Sequence, residues 1–230
     1  MGIGGLLKRI FVVFFAIIIF YQLWICLHIC WWIKFNPSSS AFMEDRLQII
    51  QETNSDAELK YKWVDYARIS NNLKRAVIAS EDSKFSDHDG FDWEGIKKAY
   101  EINLKKGKIV AGGSTISQQL AKNLFLSSKR TPWRKGEEAI ITVMLEKMLT
   151  KQRILEIYLN IIEWGNGIFG AEAAAKHYFK GSAANLSAPQ AARLAAMIPN
   201  PRYYDVHKLT NYLNRRTATI QARMRFADLP

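Results

Sequence analysis

The stretch GGSTISQQLAKNLFL, residues 112–126, decides how the rest of the chain is read. After an opening glycine pair, Ile116, Leu120 and Leu124 recur every fourth residue, the spacing of one buried face of an α-helix from Ser114 to about Leu126. Thr115, Gln118, Gln119 and Lys122 fall together on another face. Backbone N–H groups at a helix start, hydroxyls and a lysine one turn deeper are able to grip a phosphate or diphosphate. The stretch is not a nucleotide-binding P-loop, which needs GxxxxGK[ST]. A capped amphipathic helix with a solvated polar face has the same pattern, so spacing alone fixes a helix and leaves its chemistry open.

Helical periodicity continues on both sides. Asn72 is the expected cap of LKRAVIAS, with Leu73, Ala76 and Val77 on its apolar face, and Asp92 that of a run through Leu104 closed by Gly107. Thr131 followed by Pro132 marks the start of a helix to about Leu149. Residues 151–162 place Ile154, Leu155, Tyr158 and Leu159 on one side. Alanine-rich helices follow over 170–179 and 187–198, the second with a Ser187/Gln190 capping box and a stop at Pro199. Only YKWVDYARI, residues 61–69, reads as a short strand or extended arm. The fold class is mostly α.

From Ile10 to Ile33 no side chain is charged, and FVVFFAIIIFYQLWICLHICWWI is apolar on every face. As a helix it reaches roughly 36 Å, enough to cross a hydrocarbon core of about 30 Å. It is longer than the apolar part of a cleaved signal peptide, so a retained anchor is expected. The organisation read from the sequence is a cytoplasmic 1–9 carrying Lys8 and Arg9, a transmembrane helix 10–33, a linker or membrane-proximal arm 34–62, and one folded domain 63–230. At 230 residues, one folded domain without a second large one is expected. Cys26 and Cys30 both lie in the apolar run, so the domain has no thiol to pair. Lys and Arg number 32 against 21 Asp and Glu, a net charge of +11 that suits an anionic partner.

EDSKFSDHDG, residues 81–90, sets two carboxylates at a helix end before a turn rich in acid and histidine. Aligned as a calcium loop on Gly90 it puts Phe85 and Ile96 at ligand positions, which excludes an EF-hand. The four histidines are too scattered for zinc. In RKGEEA, residues 134–139, Arg134 and Glu138 are four apart and able to pair, while either Glu137 or Glu138 faces the apolar stripe of Ile140, Ile141, Met144, Leu145 and Met148. Spacing does not choose between the two glutamates.

Five blocks in order, EDSKFSDHDG, GGSTISQQLAKN, RKGEEA, KQRILEIYLN and AARLAAMIPNP, resemble the peptidoglycan glycosyltransferase family of lipid II polymerases, over about residues 63–204. No Ser-x-x-Lys or Lys-Thr-Gly occurs before Pro230, so the expectation is the monofunctional, membrane-anchored form. The resemblance implies a lysozyme-like helical domain that polymerises lipid II by inverting glycosyl transfer. It implies Glu81 as general base and Glu138 as the second catalytic glutamate. Asp82, Phe85 and His88 would shape the base's surroundings, and Ser114, Thr115, Gln118, Gln119, Lys122 and Arg134 would bind substrate, chiefly the donor's diphosphate. No cofactor is required by the sequence, although a divalent cation, magnesium or manganese, held by Glu138 would suit a diphosphate. The implied partners are lipid II, the growing glycan strand and membrane lipids, with cell-wall synthesis or division proteins as further candidates and no nucleic acid. The implied location is the bacterial inner membrane, single-pass, with the domain on the periplasmic side. Ser117 stands where the family pattern has threonine and Gln190 where glutamate is common. The competing readings are a membrane-tethered enzyme that cleaves glycan, which leaves Lys122 and Arg134 without a task, and a non-catalytic glycolipid-binding scaffold.

Overall fold

The computed structural model describes residues 3–110, 112–126 and 132–230. Along them run α1 (Ile3–Trp32), α2 (Ala41–Gln51), β1 (Lys60–Tyr61), α3 (Asn71–Glu81), α4 (Trp93–Lys106), α5 (Ile116–Phe125), α6 (Pro132–Met148), α7 (Lys151–Ile161), β2 (Glu163–Gly165), β3 (Ile168–Phe169), α8 (Ala171–Phe179), α9 (Ala188–Met197), α10 (Pro201–Val206) and α11 (Asn211–Arg223). The mostly α expectation holds.

The core is built around α7. Ile154, Leu155, Ile157, Tyr158, Leu159 and Ile161 are all fully buried, so the helix beyond its partly exposed first turn is enclosed more widely than the single face the sequence pattern marks. Helices α5, α6 and α8 pack on it, while α3, α9 and α11 pack on one another as a second group. Buried Asn160 stitches the polypeptide before α3 to α7: its Oδ1 accepts the Val64 N–H at 2.9 Å and its Nδ2 donates to the Val64 carbonyl at 2.9 Å. The small sheet has β3 in the middle, parallel to β1 and antiparallel to β2, with an irregular register between Glu163 and Gly165. Asp205 braces it by accepting from the Asn166 amide at 3.2 Å, the Tyr178 hydroxyl at 3.0 Å and His177 at 3.0 Å. Burial pushes that carboxyl up, but these three donors outweigh it and hold Asp205 below its ordinary value.

Several local expectations need correction. The stretch read as a linker contains α2, capped by Ser40 and fastened by buried Arg46, whose Nε meets Glu163 at 3.3 Å and whose Nη2 donates to Asn166 at 3.0 Å. A proline-serine run followed by mixed polar residues hid that helix, because its anchor is a charge pair formed across 117 residues. The cap of α3 is Ser70, two residues before Asn72. Asp92 and Gly107 bound α4 as expected, with Gly107 left-handed at φ 62°. Thr131, the expected cap of α6, lies outside the described residues. On α6, Ile141 and Leu145 are buried, but Ile140 is 49% exposed and does not belong to the core stripe.

Leu7–Trp32 of α1 is long and apolar enough to cross a membrane. Its last turns are not lipid-facing all round. Ile25 and Ile29 are fully buried against the domain, Trp24 and Trp32 both contact Phe125 of α5, and the Cys26 sulfur lies 4.0 Å from that of Met148 on α6. Arg153 of α7 closes the helix end, donating to the carbonyls of Trp32 at 2.9 Å and Phe35 at 2.7 Å.

Two outcomes test this packing. Asn160→Ala strips both Val64 groups of their partner and is expected to cost about 2–3 kcal/mol in denaturant unfolding. Because Asp205 is held low, its contribution is present above 3.8 and lost as pH falls through its folded value. The Asp205→Asn variant should therefore melt below the wild type at pH 7, and the gap should close under acid conditions.

Candidate active site

Glu81 is the last residue of α3 and Asp82 ends that helix, so one short bend aims two carboxylates in different directions. Asp82 is buried: one oxygen accepts the Ile116 N–H at the start of α5 at 2.9 Å, and the other meets His88 Nε2 at 2.9 Å. The Gly90 N–H donates to His88 Nδ1 at 3.1 Å, which makes Nε2 the protonated nitrogen and donor to Asp82. Gly90 sits at φ 91°, and a Cβ there would lie 2.7 Å from Thr142 Cγ2 on α6. Gly113 has the same close fit to α4, since a Cβ would meet Ile96 Cα at 3.0 Å. The glycines let the loops approach the helices.

Glu81, with a side chain only 11% exposed, accepts from the Ser80 hydroxyl at 2.9 Å and from Gln119 Nε2 at 3.1 Å, with Arg216 Nη2 at 3.5 Å. The Tyr158 hydroxyl donates to Gln119 Oε1 at 2.8 Å, which turns the amide nitrogen toward Glu81. Burial first, then the charges of Glu81 and Asp82, push Tyr158 well above its ordinary value, so it remains a donor. A cleft of about 210 Å³ opens beside Glu81, walled by Ser80, Asp82, Gly112, Gly113, Ser114 and Arg223.

Of the expected residues, Glu81, Asp82, Phe85, His88, Ser114 and Gln119 assemble at this corner, with Phe85 buried beneath Lys151, whose Nζ is 4.6 Å from the ring centroid. Thr115 and Gln118 depart from the expected open polar face. Both are buried in a reciprocal capping box, and the Thr115 hydroxyl donates to the Gly90 carbonyl at 2.7 Å. The helix therefore begins at Ile116, and a Thr-x-x-Gln signature had already marked it. Lys122 is half-buried one turn beyond Gln119, and Arg134 is half-buried on α6.

The choice between the two glutamates of RKGEEA is resolved by burial. Glu138 is 3% exposed and ion-pairs with Lys135, whereas Glu137 lies nearer the surface beside Tyr21. Glu138, Thr142 and Glu146 line one side of α6, where Glu146 accepts from Ser117 and from Lys151 at 2.8 Å. Lys151 also donates to the His88 carbonyl at 2.5 Å, holding the loop from below. Among the described residues no group of three or more His, Cys, Asp or Glu side chains converges, and the Glu138 carboxylate already faces Lys135. The roles of Tyr158, Arg216, Ser80 and Glu146 were not legible in the sequence. Tyr158 looks like one more core residue of its helix, and Arg216 reaches Glu81 across 135 residues.

A helical domain with a carboxylate at the head of a polar cleft and an apolar helix packed beside it is a frame that suits enzymes acting on glycosidic bonds. The chain belongs to the transglycosylase family, whose model, described as Transglycosylase, matches residues 46–225. That match starts at the buried Arg46 of α2, ahead of the domain start expected at residue 63. Among curated relatives, the biosynthetic peptidoglycan transglycosylase of Methylobacillus flagellatus is 66% identical over 215 residues, covering 94% of each chain. Those of Laribacter hongkongensis and Chromobacterium violaceum are 64% and 60% identical, the latter over 98% of this chain and 99% of its own.

Thr115→Val removes both the cap and the bond to Gly90 and is expected to cost about 1–2 kcal/mol of stability, with Thr115→Ser close to wild type in thermal melts. An unchanged melt with a raised KM would place that hydroxyl on substrate instead.

Proposed function

We propose that the chain polymerises lipid II into β-1,4-linked glycan strands with Glu81 as general base, its folded domain on the periplasmic face of the inner membrane. What supports the reading is the setting of Glu81: a carboxylate held by Ser80, Gln119 and Arg216 at the head of an open polar cleft, in a chain of this family. The 4-hydroxyl of the acceptor sugar attacks the anomeric carbon of the growing strand and passes its proton to Glu81 as the C–O bond forms. The bond from the anomeric carbon to the diphosphate breaks on the opposite side, so the α-linked donor becomes a β-linked product in one displacement, without a covalent enzyme intermediate.

The departing undecaprenyl diphosphate gathers negative charge, which Lys122 and Arg134 are placed in this reading to stabilise. Glu138 acts by holding Lys135 and the first turns of α6 beside them, and no step is routed through a metal ion. The span of α1 confines the enzyme to the surface that carries its lipid-linked substrate, which raises their encounter frequency. Lys8 and Arg9 at the amino-terminal end of α1 favour a cytoplasmic amino terminus.

Glu81→Gln keeps the shape of the side chain and removes its basicity. Polymerisation of labelled lipid II should fall about 10²–10⁴-fold with the thermal melt retained. Undiminished strand synthesis would refute the base, and synthesis that stops in a chelator would refute the metal-free route.

A further inference from the structure

A second concavity, of about 440 Å³, lies between β1 and α8 and shares no residue with the cleft beside Glu81. Lys60, Tyr61, Lys62, Lys176, His177 and Lys180 line it. All four lysines are exposed, and among the described residues the one carboxylate paired with any of them is Glu172, 4.0 Å from Lys62. That carboxylate is itself engaged, its other oxygen accepting the Ala183 N–H at 2.9 Å. His177 is held by Asp205. Like charges crowded into one groove repel unless an anion joins them.

Two further observations concern what the groove takes. Lys180 is the one non-glycine among the described residues with a positive φ, 56°, at the end of α8, although Gly181 follows directly. Glycine is the residue that adopts this conformation without strain, so the chain holds a lysine in the left-handed region where a side chain is disfavoured. The groove is also tied to the end of the membrane span. The Tyr61 hydroxyl donates to the Pro37 carbonyl at 3.1 Å, and Pro37 follows closely on Trp32, the last residue of α1.

We propose that this groove binds the phosphate-bearing headgroup of an anionic bilayer lipid of the phosphatidylglycerol class, seating the domain against the membrane at a point separate from the span. Lysines supply charge without demanding one geometry, which suits a headgroup that exchanges with the bilayer. The inference rests on the membrane span of α1 and not on Glu81 as base, so the two fail separately.

The test uses the full chain in phosphatidylcholine nanodiscs containing a headgroup-photoreactive phosphatidylglycerol, with cross-linked peptides mapped by mass spectrometry. Labelling is expected at residues 60–62 and 176–180, and should fall at least about fivefold in Lys60→Gln/Lys176→Gln/Lys180→Gln and in high salt. The same three positions changed to Arg should retain it, and the polymerisation rate of the Gln variant should match wild type. A photoreactive phosphatidylcholine that labels these residues equally would overturn the proposal. So would undiminished labelling of the Gln variant, or displacement of the label by soluble glycan strands bearing peptide carboxylates. If the Gln variant melts early, the Arg variant and the salt series still decide.

Discussion

Asp82 joins the end of one helix to the start of another 34 residues away, and the geometry of the site follows from that junction. Its carboxylate caps the N-terminal amide of α5, where an anion is favoured by unsatisfied N–H groups and the helix dipole, while its second oxygen holds His88. Because Asp82 follows Glu81 directly, fixing the former onto α5 sets where the latter points. Gln119, one turn into the same helix, then falls within reach of Glu81. A helix end, a helix start and a histidine loop thus share one buried carboxylate, and moving any of them moves the proposed base.

The supports beneath that junction are structural side chains of types that sequence reading associates with ligands. Thr115 and Gln118 satisfy the orphan amides of α5 and the Gly90 carbonyl, leaving Gln119 to face the cleft. Lys151 and Glu146 hold the underside of the His88 loop, and Ser117 supplies its hydroxyl to Glu146. Gln190 likewise completes the capping box of α9.

Legibility followed the range of the interactions involved. Helix α4 could be bounded from Asp92 and Gly107 because both signals act within a turn of the helix they close. The buried face of α5 was readable from Ile116, Leu120 and Leu124 for the same reason. By contrast α2 depends on Arg46 meeting Glu163, and the setting of Glu81 depends on Arg216 from α11, contacts whose partners carry no local mark. The alanine-rich face of α9 read as helix, yet that it packs against α3 and α11, and so brings Arg216 to Glu81, is a tertiary outcome. The polar face of α5 also carries a local mark, since Thr115 and Gln118 have the same capping spacing as Ser187 and Gln190.

The anchor and the site are mechanically continuous. Phe125, the last residue of α5, packs against Trp24 and Trp32, and Met148 at the end of α6 meets Cys26. The helices that carry Gln119, Lys122 and Glu138 therefore also grip the end of the span, and Arg153 fixes the carbonyls where the span stops. Helices transmit position with little compliance, because their backbone bonds are internal and their core side chains are closely packed. A lipid-linked diphosphate stays close to the bilayer interface, since its polyprenyl chain remains in the hydrocarbon. An enzyme acting on it must hold its cationic groups at that same height, and a rigid junction between α1, α5 and α6 does so more directly than a flexible tether. The burial of Ile25 and Ile29 is the physical means, converting the end of a membrane helix into part of the domain core.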